Sequence, residues 1–219
     1  MGLFDECLNP TYLCDFDREP AIGEIAGQST EKAIDRQRMV DHIYSFAKEL
    51  PYVLEDWDVK ASETLRKKSG MCLGKTNLLV AMLRSLGIPA RYRVFKILSE
   101  GTLWRWVAGQ DKELAAQMGD PSSDQDHVVA EVYLNGWRVY DPTRDSALER
   151  GMKKLDIPLR RRPVAQTGEN PTVILLSSID EWAMNRQRNR RFRGNREFVF
   201  SRINKEFDTI RALGQKPLT

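Results

Sequence analysis

The chain has 219 residues, with 34 Lys and Arg against 31 Asp and Glu, a formal net charge of +3 and 41% hydrophobic residues. That length suits one domain, or one with an appendage, and the composition excludes disorder as the whole description. Two histidines and three cysteines, Cys7, Cys14 and Cys72, are spaced too widely for a zinc-ligand pattern, and an odd cysteine count is no disulfide framework. No metal and no organic cofactor is expected. No apolar run reaches the roughly 18 residues of a spanning helix. The start, Met1-Gly2-Leu3-Phe4-Asp5-Glu6, lacks a basic or apolar leader region, so a cytoplasmic, reducing setting without a membrane is the expectation.

In chain order, residues 1–28 read as a strand or loop lead-in. Residues 29–50 read as a helix with Ser29 or Thr30 as cap, apolar positions at Ala33, Ile34, Val40, Ile43, Ala47 and Leu50, and Pro51 as the stop. His42 on that helix reads as an ordinary surface or partly packed histidine. A shorter helix is expected over 59–68, then Ser69-Gly70 resets the backbone. Met71 to Leu86 is apolar nearly all round and ends at Gly87 and Pro89, which predicts a central, buried helix. Arg91 to Leu98 reads as a strand, and Asp111 to Met118 as helix-like. His127 to Leu134, then Asn135-Gly136, then Trp137 to Asp141 form a hairpin signal. Val173 to Leu176 is a strand candidate, and Ile179 to Leu213 reads as mostly helical with a break near Gly194.

Charge is unevenly placed. Residues 151–219 hold 15 Lys and Arg against 7 Asp and Glu, and the basic excess peaks at Arg186, Arg188, Arg190, Arg191, Arg193 and Arg196. Such a cluster can engage phosphates, but few aromatics are interleaved with it. A solvated helix face or an acidic partner surface explains it as well, and nucleic acid is not the expected partner.

Gly70-Met71-Cys72-Leu73-Gly74-Lys75-Thr76 imitates a phosphate-binding loop, yet three residues separate its glycines where that motif needs four. Cys72 is better read as a nucleophile. It opens the buried helix, where the first-turn N–H groups and the positive end of the dipole favour an anion. Lys67, Lys68 and Lys75 are expected to add positive charge, and thiolate is the reactive form. A thiol nucleophile needs a base, and the base needs an orienting group. His127 and Asp141 lie on the two strands of one hairpin and supply both types.

Facing tests this arrangement. A two-residue turn at Asn135-Gly136 would pair Asp141 with Ala130 and send His127 and Asp141 to opposite faces. A three-residue loop, Leu134-Asn135-Gly136 with Gly136 left-handed, would pair Asp141 with Val129. His127 then becomes its same-face diagonal neighbour, about 7–8 Å away between backbones. The triad therefore requires the longer loop or a bulge.

The residues Ala61-Ser62-Glu63-Thr64-Leu65, Gly70-Met71-Cys72, Leu79 to Arg84, Gly87-Ile88-Pro89-Ala90-Arg91, His127 with Glu131-Val132-Tyr133-Leu134 and Gly136-Trp137, and Asp141-Pro142-Thr143 together resemble the transglutaminase-like superfamily of thiol enzymes. The resemblance covers roughly residues 10–145. It implies a papain-like α+β fold, a Cys-bearing buried helix packed on an antiparallel sheet, with residues 1–145 as the catalytic core. Residues 146–219 are expected to form a basic, mainly helical C-terminal extension packed on or following that core.

Carried over, Cys72 is the nucleophile, His127 the acid/base and Asp141 the orienting carboxylate. The family's upstream oxyanion aromatic has Trp57 as its nearest candidate. The family frequently has Trp two residues after the histidine, where this chain has Val129, and the His-to-Asp interval is near the short end. The implied activity is attack on amide or acyl bonds of a peptide, protein or small amide through a Cys72 thioester. Water as acceptor gives a peptidase or amidase-type hydrolase, the favoured expectation. An amine acceptor gives a transglutaminase or other acyltransferase, and a binding or scaffold protein that keeps the fold without turnover is the remaining alternative. Trp104 and Trp106, which precede His127, are candidates for a lid or groove wall, or for a small core.

Overall fold

The computed structural model describes residues 4–98, 101–118, 124–159, 162–163, 173–189 and 194–216. Four helices come first: α1 (Pro20–Thr30), α2 (Arg36–Glu49), α3 (Ala61–Lys67) and α4 (Cys72–Ser85). The helix expected over 29–50 begins only at Arg36, and residues 29 and 30 instead end α1. The Asp35 carboxylate accepts the Arg38 N–H at 2.8 Å and starts α2 there, so Asp35, not Ser29 or Thr30, is the cap. The stretch expected to be a lead-in holds α1, whose glycines and lack of a capping side chain hide it from propensity, but which buries Ile22 and Ala26 in the core.

Every residue of α4 from Cys72 to Arg84 is buried, which fits its all-round apolar sequence. It packs against α1, α2 and α3 on one side and against the sheet on the other. That sheet is built on β1 (Ala90–Leu98), flanked by β2 (Asp124–Tyr133) and then β3 (Trp137–Tyr140) on one side, with β4 (Arg162–Pro163) and β5 (Ile174–Leu176) on the other, all antiparallel. Tyr92, Val94, Val128, Ala130 and Val132 turn into the core under α4, while Arg91 and Arg93 on the opposite face pair with Glu131 at 2.7 Å each. The α+β architecture, with a buried cysteine-bearing helix on an antiparallel sheet, is therefore as expected.

Helices α5 (Gly101–Gln110) and α6 (Lys112–Gln117) follow β1, and α7 (Ser146–Lys154), α8 (Asp180–Arg188) and α9 (Arg196–Gln215) lie in the C-terminal part. Neither α5 nor α7 is expected from the sequence pattern. A second buried cluster gathers Leu103, Val107, Leu114, Leu148, Met152, Val199, Ile203, Phe207 and Ile210 from α5, α6, α7 and α9.

The chain after residue 145 is not set apart from what precedes it. Strand β5 pairs with β1 through Tyr92 and Leu176, Ile179 and Ala183 sit in the main core, and the Asp180 carboxylate accepts hydrogen bonds from Thr11 Oγ1 and the N–H groups of Tyr12 and Leu13 at 2.8–3.0 Å. Among the described residues, no helix is long and apolar enough to cross a membrane.

Candidate active site

Cys72 is the first residue of α4, 5% exposed, with Met71 as the residue before it in extended backbone. Helix geometry points the first-turn N–H groups out past the thiol. Glu55 approaches this end: its Oε1 accepts the Met71 N–H at 2.9 Å and its Oε2 accepts from Lys67 Nζ at 2.6 Å. Burial raises the Glu55 carboxyl, with Lys67 and the Met71 N–H pulling the other way. A Cβ on Gly74 would lie 2.5 Å from Glu55 Oε1 and 2.9 Å from Thr64 Oγ1, so the approach requires glycine there.

The local electrostatics differ from the sequence expectation. Lys67 is taken up by Glu55, and Lys75, wholly buried, directs its ammonium to the carbonyls of Lys48, Leu50 and Thr143 at 2.6–2.9 Å. Lys67 and Lys68 are exposed, and Lys75 is buried. The helix terminus, rather than a lysine cluster, is what favours an anion at Cys72. Lys75 is likewise committed to carbonyls and not to any phosphate.

His127 is 3% exposed, with its ring edge-to-face on Phe95 at 5.3 Å. The hairpin takes the three-residue loop: Tyr133 pairs with Trp137 and Ala130 with Tyr140. Two loop residues have positive φ, Asn135 at 55° and Gly136 at 142°. His127 and Asp141 thereby share a face, and His127 Nε2 lies 2.9 Å from Asp141 Oδ2. Asp141 Oδ1 accepts from the Thr143 N–H at 3.0 Å and from Thr143 Oγ1 at 2.5 Å, and Tyr44 Oη donates to the Asp141 carbonyl at 3.1 Å. Helix α4 meets β2 at the same level. Thr76, one turn after Cys72, donates to the carbonyl of Val128, the residue after His127, at 3.1 Å.

The other cysteines differ from Cys72 in setting. Burial pushes the Cys14 thiol up to about 11 and raises that of Cys7, which disfavours thiolate at both. His42 is exposed, with Nδ1 3.0 Å from the Ser29 carbonyl oxygen.

Trp57 is buried in the cluster that contains Cys72, edge-to-face with Trp182 of α8 at 5.4 Å and under the Arg186 guanidinium at 5.7 Å. Its backbone N–H donates to Gln187 Oε1 at 3.1 Å. Trp104 and Trp106 pack against the second cluster, Trp104 lying 6.2 Å from Phe207.

Two members of the arginine cluster are in ion pairs that flank the site: Arg186 with Asp126 and Arg196 with Asp56, both at 2.6 Å. Asp126 and Asp56 directly precede His127 and Trp57. Arg190, Arg191 and Arg193 lie outside the described residues. Glu55, Tyr44, Thr143 and the buried role of Lys75 went unread in the sequence. Only the glycine at position 74, four residues from Gly70, hinted that something presses on this helix end.

Residues 23–142 match the family model of the transglutaminase-like superfamily. That is more than half of the 219 residues, and the chain belongs to this superfamily, a family of thiol enzymes. An uncharacterized protein of Mycobacterium leprae (strain TN) is 28% identical over 146 residues, 65% of this chain. The chain spans 46% of that relative's length. Among solved structures, one described as a "Putative Cysteine Protease" from Cytophaga hutchinsonii aligns with a TM-score of 0.47 at 17% identity, covering 80% of this chain and 56% of the other. Another, described as a "Putative Protease" from Parabacteroides distasonis, gives 0.39 at 15% identity, covering 59% and 25%.

Proposed function

We propose that the protein is a cysteine hydrolase of the peptidase or amidase type, acting through Cys72, His127 and Asp141. The observation that carries this reading is the 2.9 Å contact between His127 Nε2 and Asp141 Oδ2 on a hairpin packed against the helix that Cys72 opens.

With Nε2–H donated to Asp141, the Nδ1 atom is the one that exchanges protons with Cys72. The Cys72 thiolate attacks the carbonyl carbon, and the developing oxyanion is held by N–H groups at the start of α4. The imidazolium gives its Nδ1 proton to the leaving amine as the C–N bond breaks, which leaves a thioester on Sγ. Water then loses a proton to Nδ1 and attacks the thioester, releasing the carboxylic acid and restoring the thiol. Asp141 stays ionised and keeps the ring in this tautomer. Trp57, within the same buried cluster, is a candidate wall for the oxyanion.

The test is trapping. Incubation with a mixed pool of peptides and small amides, followed by intact-mass analysis, should show an acyl adduct on Cys72 that hydroxylamine removes. Cys72→Ala abolishes the adduct, and His127→Ala or Asp141→Asn slows its formation on the order of 10³-fold. Adding a primary amine separates hydrolysis from acyl transfer: an acid as the main product supports the hydrolase, and an amide as the main product overturns it in favour of a transferase. Alkylation of Cys72 no faster than that of Cys7 and Cys14 would leave only the scaffold reading.

A further inference from the structure

The side chain of Lys75 is fully buried in α4, three residues after Cys72, and takes no part in the chemistry proposed above. A methionine of similar length would fill that volume without the cost of burying an ion. What the ε-amino group supplies instead is donors, three of them in the protonated form, which burial holds to pH values below about 7, and the fold presents three carbonyls to them: Lys48 at 2.9 Å, Leu50 at 2.6 Å and Thr143 at 2.9 Å.

The first two end α2, where unpaired carbonyls and the negative end of the dipole accept a cation. The third belongs to a different segment. Thr143 is the residue whose N–H and Oγ1 both hold Asp141 Oδ1, leaving Oδ2 for His127. Helix α2 also reaches Asp141 directly through Tyr44 Oη on its carbonyl. The helix carrying Cys72, the end of α2 and the loop carrying Asp141 therefore converge on one nitrogen. The charged groups around it are Asp145, Lys48, Arg211 and Glu49.

We propose that Lys75 is a positioning residue: by binding the Thr143 carbonyl from the helix that holds Cys72, it fixes the loop that aims Asp141 at His127. This rests on the triad reading above. Loss of Lys75 leaves Asp141 in place chemically but poorly aimed, so the imidazole loses its orientation and the thiolate its partner.

The experiment is the pH dependence of Cys72 alkylation by iodoacetamide, followed by peptide mass at reagent concentrations where the rate is first order. Thermal melting is measured in parallel. Wild type is expected to react with a midpoint below the ordinary thiol range, and His127→Ala should abolish that displacement. Lys75→Met should move the midpoint upward by about one unit, toward that of Asp141→Asn, which corresponds to a roughly tenfold slower reaction at a fixed lower pH. In an Asp141→Asn background Lys75→Met should add no further displacement.

A Lys75→Met protein that melts earlier but keeps the wild-type midpoint overturns the proposal, as does an additive displacement in the double variant. Should Lys75→Met fail to fold, Lys75→Leu, which likewise has no donor for the carbonyls, is read by the same criteria against Asp141→Asn. A wild-type midpoint that His127→Ala does not affect overturns the triad reading itself, and the positioning role with it.

Discussion

Asp145 shows at the scale of one residue how a charge is kept in this interior. Its Oδ2 accepts from the Tyr52 N–H at 3.0 Å and from Arg211 Nε at 2.9 Å, while Oδ1 accepts from the Leu148 N–H at 2.9 Å and caps α7. Burial alone would raise this carboxyl, but the Tyr52 N–H, the Arg211 charge and the Leu148 N–H outweigh it, and the net shift is downward. The folded protein thus binds fewer protons here than the unfolded chain at mildly acid pH. The stabilisation is complete above the ordinary carboxylate value of 3.8 and is lost as pH falls through the lower folded value. Asp145→Asn should cost about 3 kcal/mol near neutrality, because the buried Arg211 is left with only the exposed Asp208 as a partner charge. In urea titrations across pH, the gap between wild type and variant should close below about pH 4. A gap that persists unchanged into strong acid would contradict this. Sequence spacing reveals neither this cluster nor Lys75. A lysine three residues after a helix-opening cysteine is visible, but the direction of its ammonium depends on carbonyls up to 68 residues away.

Among the elements, the hairpin was the most legible, because a strand has period two and the loop length alone decides which residues share a face. The requirement that His127 and Asp141 face together selects the three-residue loop that the register contains. The helix α4 was equally clear from its apolar sequence and its Gly87-Ile88-Pro89 stop. Helix α1 was not, since its residues are poor helix formers and it is held by packing on α4.

The crossing of α7 and α9 was also invisible, and it hinges on two glycines. A Cβ on Gly151 would sit 1.9 Å from the Ile210 carbonyl oxygen, and one on Gly214 would sit 1.9 Å from that of Ala147. Neither backbone can yield without separating the helices. Gly151→Ala should therefore destabilise by at least about 1–3 kcal/mol, seen as a lower denaturant midpoint with an unchanged slope. Gly27→Ala, where nothing lies within 4 Å of the added carbon, is the control and should be neutral or slightly stabilising.

For the whole molecule, the family resemblance drew attention to residues 10–145, while the contacts run past that limit. Arg84 of α4 joins three regions, donating to the carbonyls of Asn9, Ala90 and Ser177 at 2.6–3.0 Å. A chain cut after residue 145 would lose β5, the Asp180 carboxylate that holds residues 11–13, and Ile179 and Ala183 from the main core. The full chain is expected to unfold in one calorimetric transition, and the 1–145 fragment to show no cooperative melt. Two resolved transitions, or a fragment that melts cooperatively, would mean that the C-terminal part is an independent unit. Sequence periodicity identified α8 and α9 but not α7, and carried no signal of this interlock, which depends on pairing between residues 80 to 84 apart.

Solvent reaches 5% of Cys72 and 3% of His127, and that burial governs time as well as chemistry. A thiol enclosed in this way admits small electrophiles more readily than large ones, so a bulky maleimide should lag far behind iodoacetamide at equal concentration. The same narrow access should slow oxidation of the Cys72 thiol to sulfenic acid by peroxides, relative to an exposed cysteine.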